Sequence, residues 1–394
     1  MGYSGSQLPA LAGYFDTSAT TPTATEVLEA MALAQATAWA NPSSLHVPGL
    51  AAAEQLERSR LSLAAGLGCE PDELVVTSGG TEAIHLALLG AAAGLTPGRL
   101  VISAVEHPAT LAAAAQLQQR GWSVQAVPVD RQGLLDLDAL DGLLVPPTRL
   151  VSVIWGQNEV GSLQPIEAIG ARCRRAGVLL HVDAVQVLGH LPINFRQLPI
   201  DFLSGAAHKL QGPRGVGLLL VRRGLALQGQ LGGGGQEGGR RGGTEPVVLL
   251  SGFAKALELS CATPSLAPLR DSLLHRLLSL PGLRLSGPPP GDSRLPHHLS
   301  LLVASEAGLP LSGRNLVREL SRQGFALSSG SACSSSGSAA SSVLRALGYG
   351  EADAASGLRI SLGPWHCATD LEVLVQALKM ALAASVASEH PLTA

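Results

Sequence analysis

Short apolar runs rich in Val, Ile and Leu alternate with longer stretches of helical periodicity from about residue 74 to residue 221. The runs at 74–77, 100–104, 124–129, 150–155, 178–182, 201–204 and 216–221 read as strands. The segments at 81–93, 109–120, 136–144 and 166–176 read as helices. Strand–helix alternation of this kind predicts an α/β fold with a mostly parallel sheet covered by helices on both faces. Such sheets place ligands at the carboxyl ends of their strands. The Gly-rich stretch 229–243 breaks the rhythm. After it come helices at 247–261 and 266–280, a loop at Gly287-Pro288-Pro289-Pro290-Gly291, strands at 299–303 and 358–361, and helices at 313–323 and 370–388. These predict a smaller α/β domain. The expected division is a large domain over 16–262 and a small one over 1–15 with 263–394. The Ser/Gly/Ala-rich segment, about 328–342, is expected to be a mobile loop of the small domain.

Composition narrows the chemistry. The net charge of −3 argues against a nucleic-acid partner. No apolar run approaches the roughly 18 residues that span a bilayer, so no membrane role is expected. The five cysteines are scattered and form no C-x-x-C pair. That argues against a metal site or a disulfide framework and for a cytoplasmic, reducing setting. Lysine occurs only at 209, 255 and 379, so chemistry that needs an amine has few candidates.

Lys209 follows a strand and a small-residue turn, Ser204-Gly205-Ala206-Ala207-His208-Lys209. A lysine there can form a Schiff base with an aldehyde cofactor, although a surface loop explains it as simply. The strand 178–182 runs into Asp183, with Gln186 three residues on. A carboxylate at a strand end can hold a protonated ring nitrogen, and it can equally cap the next helix. Thr77-Ser78-Gly79-Gly80-Thr81 joins a strand to a helix, and Gly80 and Thr81 would offer backbone N–H groups and a hydroxyl to a phosphate. His107, in Glu106-His107-Pro108, can stack on a flat ring or begin a helix.

Taken together these residues resemble the cysteine desulfurases, which share the class V aminotransferase fold, over nearly the whole chain from about Phe15. The resemblance also rests on Asp16-Thr17-Ser18-Ala19-Thr20-Thr21-Pro22, Asn41-Pro42-Ser43-Ser44-Leu45-His46, Asn158-Glu159-Val160-Gly161 and Arg359-Ile360-Ser361-Leu362-Gly363. Its most specific part is Ser328-Ser329-Gly330-Ser331-Ala332-Cys333, which matches the NifS/IscS-type branch that serves iron–sulfur cluster assembly.

The resemblance implies a pyridoxal-phosphate enzyme of fold type I with a seven-stranded, mostly parallel sheet. It implies that Lys209 carries the Schiff base, Asp183 holds the pyridine nitrogen, Gln186 the phenolic oxygen, and His107 stacks on the ring. Gly80, Thr81 and His208 become phosphate ligands. Thr244 would reach the phosphate from the partner subunit of a homodimer. Asn158 and Arg359 would clamp the substrate carboxylate. Lys209, Cys333 and His107 would act on L-cysteine, sulfur passing to Cys333 as a persulfide and alanine leaving. An iron–sulfur scaffold or another sulfur carrier would accept the sulfur. The chain departs from the family at Ala206, where a serine is usual, and at Gly238, where arginine is usual; the scaffold-binding tail is not recognisable beyond about Ser388. Another enzyme of the same fold, such as a selenocysteine lyase or an aminotransferase, and a non-catalytic scaffold remain alternatives.

Overall fold

The structure is a computed structural model and describes residues 11–330 and 340–388, with side chains as far as 384. Helices α1 (Thr25–Thr37) and α2 (Val47–Leu67) come first, followed by strand β1 (Leu74–Thr77). Then follow α3 (Gly80–Ala93), β2 (Arg99–Ser103), α4 (Pro108–Gln119), β3 (Ser123–Val127), α5 (Leu137–Leu143), β4 (Thr148–Ile154), α6 (Ile166–Ala176), β5 (Leu179–Asp183), β6 (Phe202–Ala206) and β7 (Gly217–Val221), the last three strands with no α-helix between them. These seven strands form one sheet in the order β1-β7-β6-β5-β4-β2-β3. Strand β7 runs antiparallel to both β1 and β6, and the other pairings are parallel.

Period-two alternation assigns each strand residue to one of two cores. Leu74, Val76, Val101, Val151, Val153, Leu180, Val182, Leu203, Leu218 and Leu220 pack with α2 and α6 and with helix α7 (Val247–Ala262). Val75, Phe202, Leu219 and Val221 pack on the opposite face against α3. Leu100, Ile102 and Leu150 extend that face over α3 and α4. A sheet covered on both sides leaves its strand ends as the open, polar rim.

The remaining described elements are α8 (Ala267–Leu278), β8 (Leu283–Leu285), β9 (His298–Val303), α9 (Gly313–Arg322), α10 (Ser342–Ala346), α11 (Glu351–Ala355), β10 (Gly357–Ser361) and α12 (Ala368–Ser388). Strands β10-β9-β8 make an antiparallel sheet with its own apolar core, to which Phe15 contributes from the amino-terminal side. Among the described residues no single helix is long and apolar enough to cross a membrane; α7 and α8 qualify only as a pair bent by 70°.

The seven strands of the large sheet fall within about two residues of their sequence-based positions. The sequence reading assigned no element to α1 and α2. Both are alanine-rich, so their buried and exposed faces differ little in polarity.

Candidate active site

The carboxyl ends of β1, β2, β4, β5 and β6 point to one rim, because these strands share a direction. Each supplies one of the singled-out groups there. After β6 comes a single 3₁₀ turn, Ala207–Lys209, which presents His208 and Lys209. The Lys209 ammonium donates to the carbonyls of Ser18 and of Ala19, the latter at 2.7 Å. Gln186 Nε2 also donates to Ser18 O, at 2.9 Å, and its Oε1 is buried without a partner. Lys209 and Gln186 therefore meet at one carbonyl.

Asp183 is the last residue of β5 and is buried. Its Oδ1 accepts the N–H of Val185 at 3.0 Å, so it also closes the turn that follows. Burial pushes its carboxyl up to about 6, against the lowering pull of Val185 N–H and the Lys209 charge. The group remains largely ionised at neutral pH. His107 caps α4, its Nδ1 accepting from Ala109 N at 3.1 Å. That bond requires the ring proton on Nε2. Burial first, and the Lys209 charge second, pull His107 down to about 4, so the imidazole is neutral. His208, bonded through Nδ1 to Thr20 Oγ1 at 3.2 Å, is likewise pulled down to about 4 by burial, Lys209 and Arg214.

The first turn of α3 has no side-chain cap, which leaves its backbone N–H groups to other partners. A Cβ on Gly80 would come within 2.8 Å of Val185 and 3.8 Å of the Ala206 Cβ, so this turn packs directly beside β5 and β6. Thr81 is exposed at its start. The Gly-rich segment after β7 is fixed near the same end of the sheet. Glu237 pairs with Arg60 at 2.6 Å and accepts Val76 N–H at 2.9 Å, and Arg241 pairs with Glu82 at 3.0 Å. Gly238 there has a φ of +65°, a conformation that disfavours the arginine usual at this position. Thr244 is exposed.

The second sheet brings Arg359, in the middle of β10, to the same rim. It is buried. One terminal nitrogen donates to Asn158 O at 3.0 Å and the other pairs with Asp16 Oδ1 at 2.7 Å, while Nε is buried without a partner. The expected carboxylate clamp is thus partly engaged within the chain. Asn158 contributes its carbonyl here, which also accepts from His298 Nε2 at 3.1 Å.

Cys333 lies outside the described residues. The segment that carries it is bounded by Gly330 and Ala340. Just beyond, Ser341 Oγ donates to Glu159 at 2.6 Å, next to Asn158. A cavity of about 400 Å³ opens beside Lys209, lined also by Thr17, Thr21, Gln211 and Cys261. Asp183, His107 and Arg359 do not line it, so it does not mark the convergence of the polar groups.

Two groups received no role from the sequence. Asp16 sits in a quoted motif, but nothing in its spacing pairs it with Arg359, 343 positions away. Glu106 is buried beneath His107, where Oε1 accepts from Ser103 Oγ and from Ile154 N at 2.8 Å. Burial pushes its carboxyl from 4.5 up to about 8, so the folded protein keeps a proton that the unfolded chain loses above its ordinary range. Glu106 therefore stabilises the fold fully below about pH 4.5, and that contribution is lost as pH rises through about 8. Glu106→Gln preserves the acceptor and removes the titration. Urea unfolding should find it equal to the parent at pH 4 and more stable at pH 9, by on the order of a few kcal/mol. Parallel stability–pH curves would refute this.

The observed groups fit a flat, anionic aldehyde cofactor. They comprise an uncapped helix N-terminus, a buried carboxylate, an amide donor beside the same carbonyl as the lysine and the lysine itself. Residues 13–374 match the family model of the aminotransferase class-V family. A protein of Methanosarcina thermophila, cysteine desulfurase IscS, is 36% identical over 92% of this chain and 90% of its own length. A cysteine desulfurase of Cereibacter sphaeroides is 39% identical over 93% of this chain and 94% of its own. Among solved structures, a NifS-like protein superposes with a TM-score of 0.86 at 32% identity, covering 94% of this chain and 99% of that one. SspA in complex with cysteine gives a TM-score of 0.80 at 32% identity, covering 90% of this chain and all of that one. Proteins of this family generally use pyridoxal phosphate. The match to the family model over nearly the full length, with relatives of this similarity, places the chain in the aminotransferase class-V family, among its cysteine desulfurases.

Proposed function

We propose that this protein is a pyridoxal-phosphate-dependent cysteine desulfurase. It converts L-cysteine to L-alanine and receives the sulfur on Cys333. The observation that carries the reading is the convergence of Lys209 and Gln186 on Ser18 O, with Asp183 at the adjoining strand end. When bound, the cofactor supplies a protonated ring that withdraws electrons from the substrate α-carbon.

The chain's own groups do the rest. Asp183 would provide the fixed negative charge for the ring nitrogen, and the amide N–H of Gln186 left over from Ser18 O would serve the phenolic oxygen. The first turn of α3, with Gly80, Thr81 and His208, would hold the phosphate. Lys209 would hold the cofactor and is the amine that would take the α-proton on Nζ. His107, neutral with its proton on Nε2, would pack on the ring and pass protons without adding charge. Arg359 and Asn158 hold the substrate carboxylate. The Cys333 thiolate attacks the substrate sulfur: the new S–S bond forms as the C–S bond breaks. The bond's electron pair stays with carbon, which gains a proton and leaves as alanine. The persulfide then passes to a sulfur-acceptor protein, either an iron–sulfur scaffold or another carrier.

Two cores, one holding the large sheet and one holding Phe15 and the second sheet, support two domains at 16–262 and at 1–15 with 263–394. A homodimer is supported by the apolar corner between α1 and α2, where Leu45 is 91% and Val47 79% exposed beside Trp39. In that homodimer Thr244 would be the residue that reaches the partner's phosphate, as the family resemblance implies. Cys69, Cys173, Cys261 and Cys367 are free, in keeping with a reducing cytoplasm.

The test is direct. Protein purified with the cofactor should be yellow and, given L-cysteine and a thiol reductant, release sulfide and alanine in equal amounts. A protein that remains colourless after incubation with pyridoxal phosphate is not an enzyme of this kind.

A further inference from the structure

One short stretch of chain touches both ends of the site. Lys209 donates to Ser18 O and Ala19 O, Gln186 to Ser18 O, and His208 bonds Thr20 Oγ1. Two to four residues earlier, Asp16 pairs with Arg359. The stretch is stitched to the strand that carries Arg359: Ser361 N donates to Phe15 O at 2.8 Å, Thr17 Oγ1 to Leu362 O at 3.0 Å, and Ser18 N to Ser361 Oγ at 2.9 Å. Asp16 therefore does not swing independently of Arg359; the two are parts of one hydrogen-bonded body.

We propose that Asp16 is a positioning residue for substrate recognition, locking the Arg359 guanidinium so that its Nε edge docks the α-carboxylate of the incoming amino acid. The inference deepens the reading of the protein as a cysteine desulfurase and rests on it. A guanidinium on a long side chain has several rotamers, and a carboxylate docks well only against a planar edge of two N–H groups. Asp16 and Asn158 O each take one terminal nitrogen and fix the plane. Nε, buried and without a partner, marks the edge left over. A buried donor is costly unless a ligand satisfies it, which favours the occupied state.

Charge adds a specificity element. Asp16 balances Arg359, so the docking edge lies in a nearly neutral pair instead of beside a bare cation. One carboxylate gains two charge-assisted hydrogen bonds there. A second carboxylate on the substrate would meet Asp16 and be repelled. The site therefore selects amino acids with one carboxylate. Because Ser18 and Ala19 hold Lys209, the same stretch also sets the spacing between the carboxylate dock and the amine.

The experiment uses cofactor-loaded protein carrying Asp16→Ala or Asp16→Asn. Binding of L-alanine, which has the carboxylate and no sulfur, is followed at equilibrium by the visible spectrum. Turnover is measured with L-cysteine and with L-cysteine methyl ester. Asp16→Ala should weaken L-alanine binding and raise KM for L-cysteine by about tenfold or more, with kcat nearly unchanged. Asp16→Asn, which keeps the acceptor oxygen, should show a smaller effect in the same direction. Values for the methyl ester should not move, because it lacks the group Arg359 docks. Should Asp16→Ala fail to fold, judged by its melting curve, Asp16→Asn decides the matter alone. Unchanged or tighter L-alanine binding overturns the proposal, as does an equal loss for acid and ester. A parent protein that takes up no cofactor overturns the functional reading itself, whatever the variants do.

Discussion

Lys209→Ala is expected to eliminate the yellow colour of the cofactor-loaded protein and to lower alanine formation from L-cysteine by at least about 10³-fold. The size of the loss follows from the two tasks assigned to one amine, anchoring the cofactor and moving the α-proton. No other lysine can substitute. Lys255 pairs with Glu258 at 2.7 Å on α7, and Lys379 is exposed on α12. Lys209→Arg separates covalency from charge. It keeps a cation near the Ser18 and Ala19 carbonyls, and should be as inactive as the alanine variant if the bond to the cofactor matters. Borohydride treatment of the parent protein, followed by peptide mapping, should place the pyridoxyl mass on Lys209. Activity of the arginine variant within tenfold of the parent would remove Lys209 from this role.

The second large effect concerns Cys333. Cys333→Ser is expected to keep the visible absorbance, because the cofactor contacts assigned here lie elsewhere, and to reduce sulfide release by at least about 10²-fold. The other cysteines provide controls with physical reasons attached. Cys69 and Cys173 are buried, and burial pushes both thiols up to about 12, so neither is a thiolate at neutral pH. Cys261 and Cys367 are exposed, and serine at either should leave sulfide release unchanged. An aminotransferase or selenocysteine lyase of the same fold would not need Cys333. Undiminished sulfide release from Cys333→Ser would remove Cys333 from the acceptor role. Loss of activity in Cys261→Ser, with Cys333→Ser active, would move the acceptor to the thiol beside the cavity near Lys209.

Much of the site was legible because its residues stand next to strand ends. In a parallel sheet the carboxyl ends share a side, so reading where 74–77, 178–182 and 201–204 end already grouped Gly80, Asp183 and Lys209. Local chemistry at each position was legible in a weaker sense. His107 does cap α4, and Asp183 does close its own turn. The plainer readings are therefore true of these side chains, and they coexist with the roles assigned to them.

Legible along the chain alone are the succession from β1 to β7, the two-faced sheet and the small set of groups capable of the chemistry. Hydrophobic period and turn residues encode these over short stretches, where chain neighbours are also neighbours in space. Only the packed fold brings Asp16 onto Arg359, gathers Lys209 and Gln186 at Ser18, and buries Glu106 so that its carboxyl is pushed up. Each of these depends on contacts between distant positions or on exclusion of water, and neither a repeat nor a spacing along the chain records them.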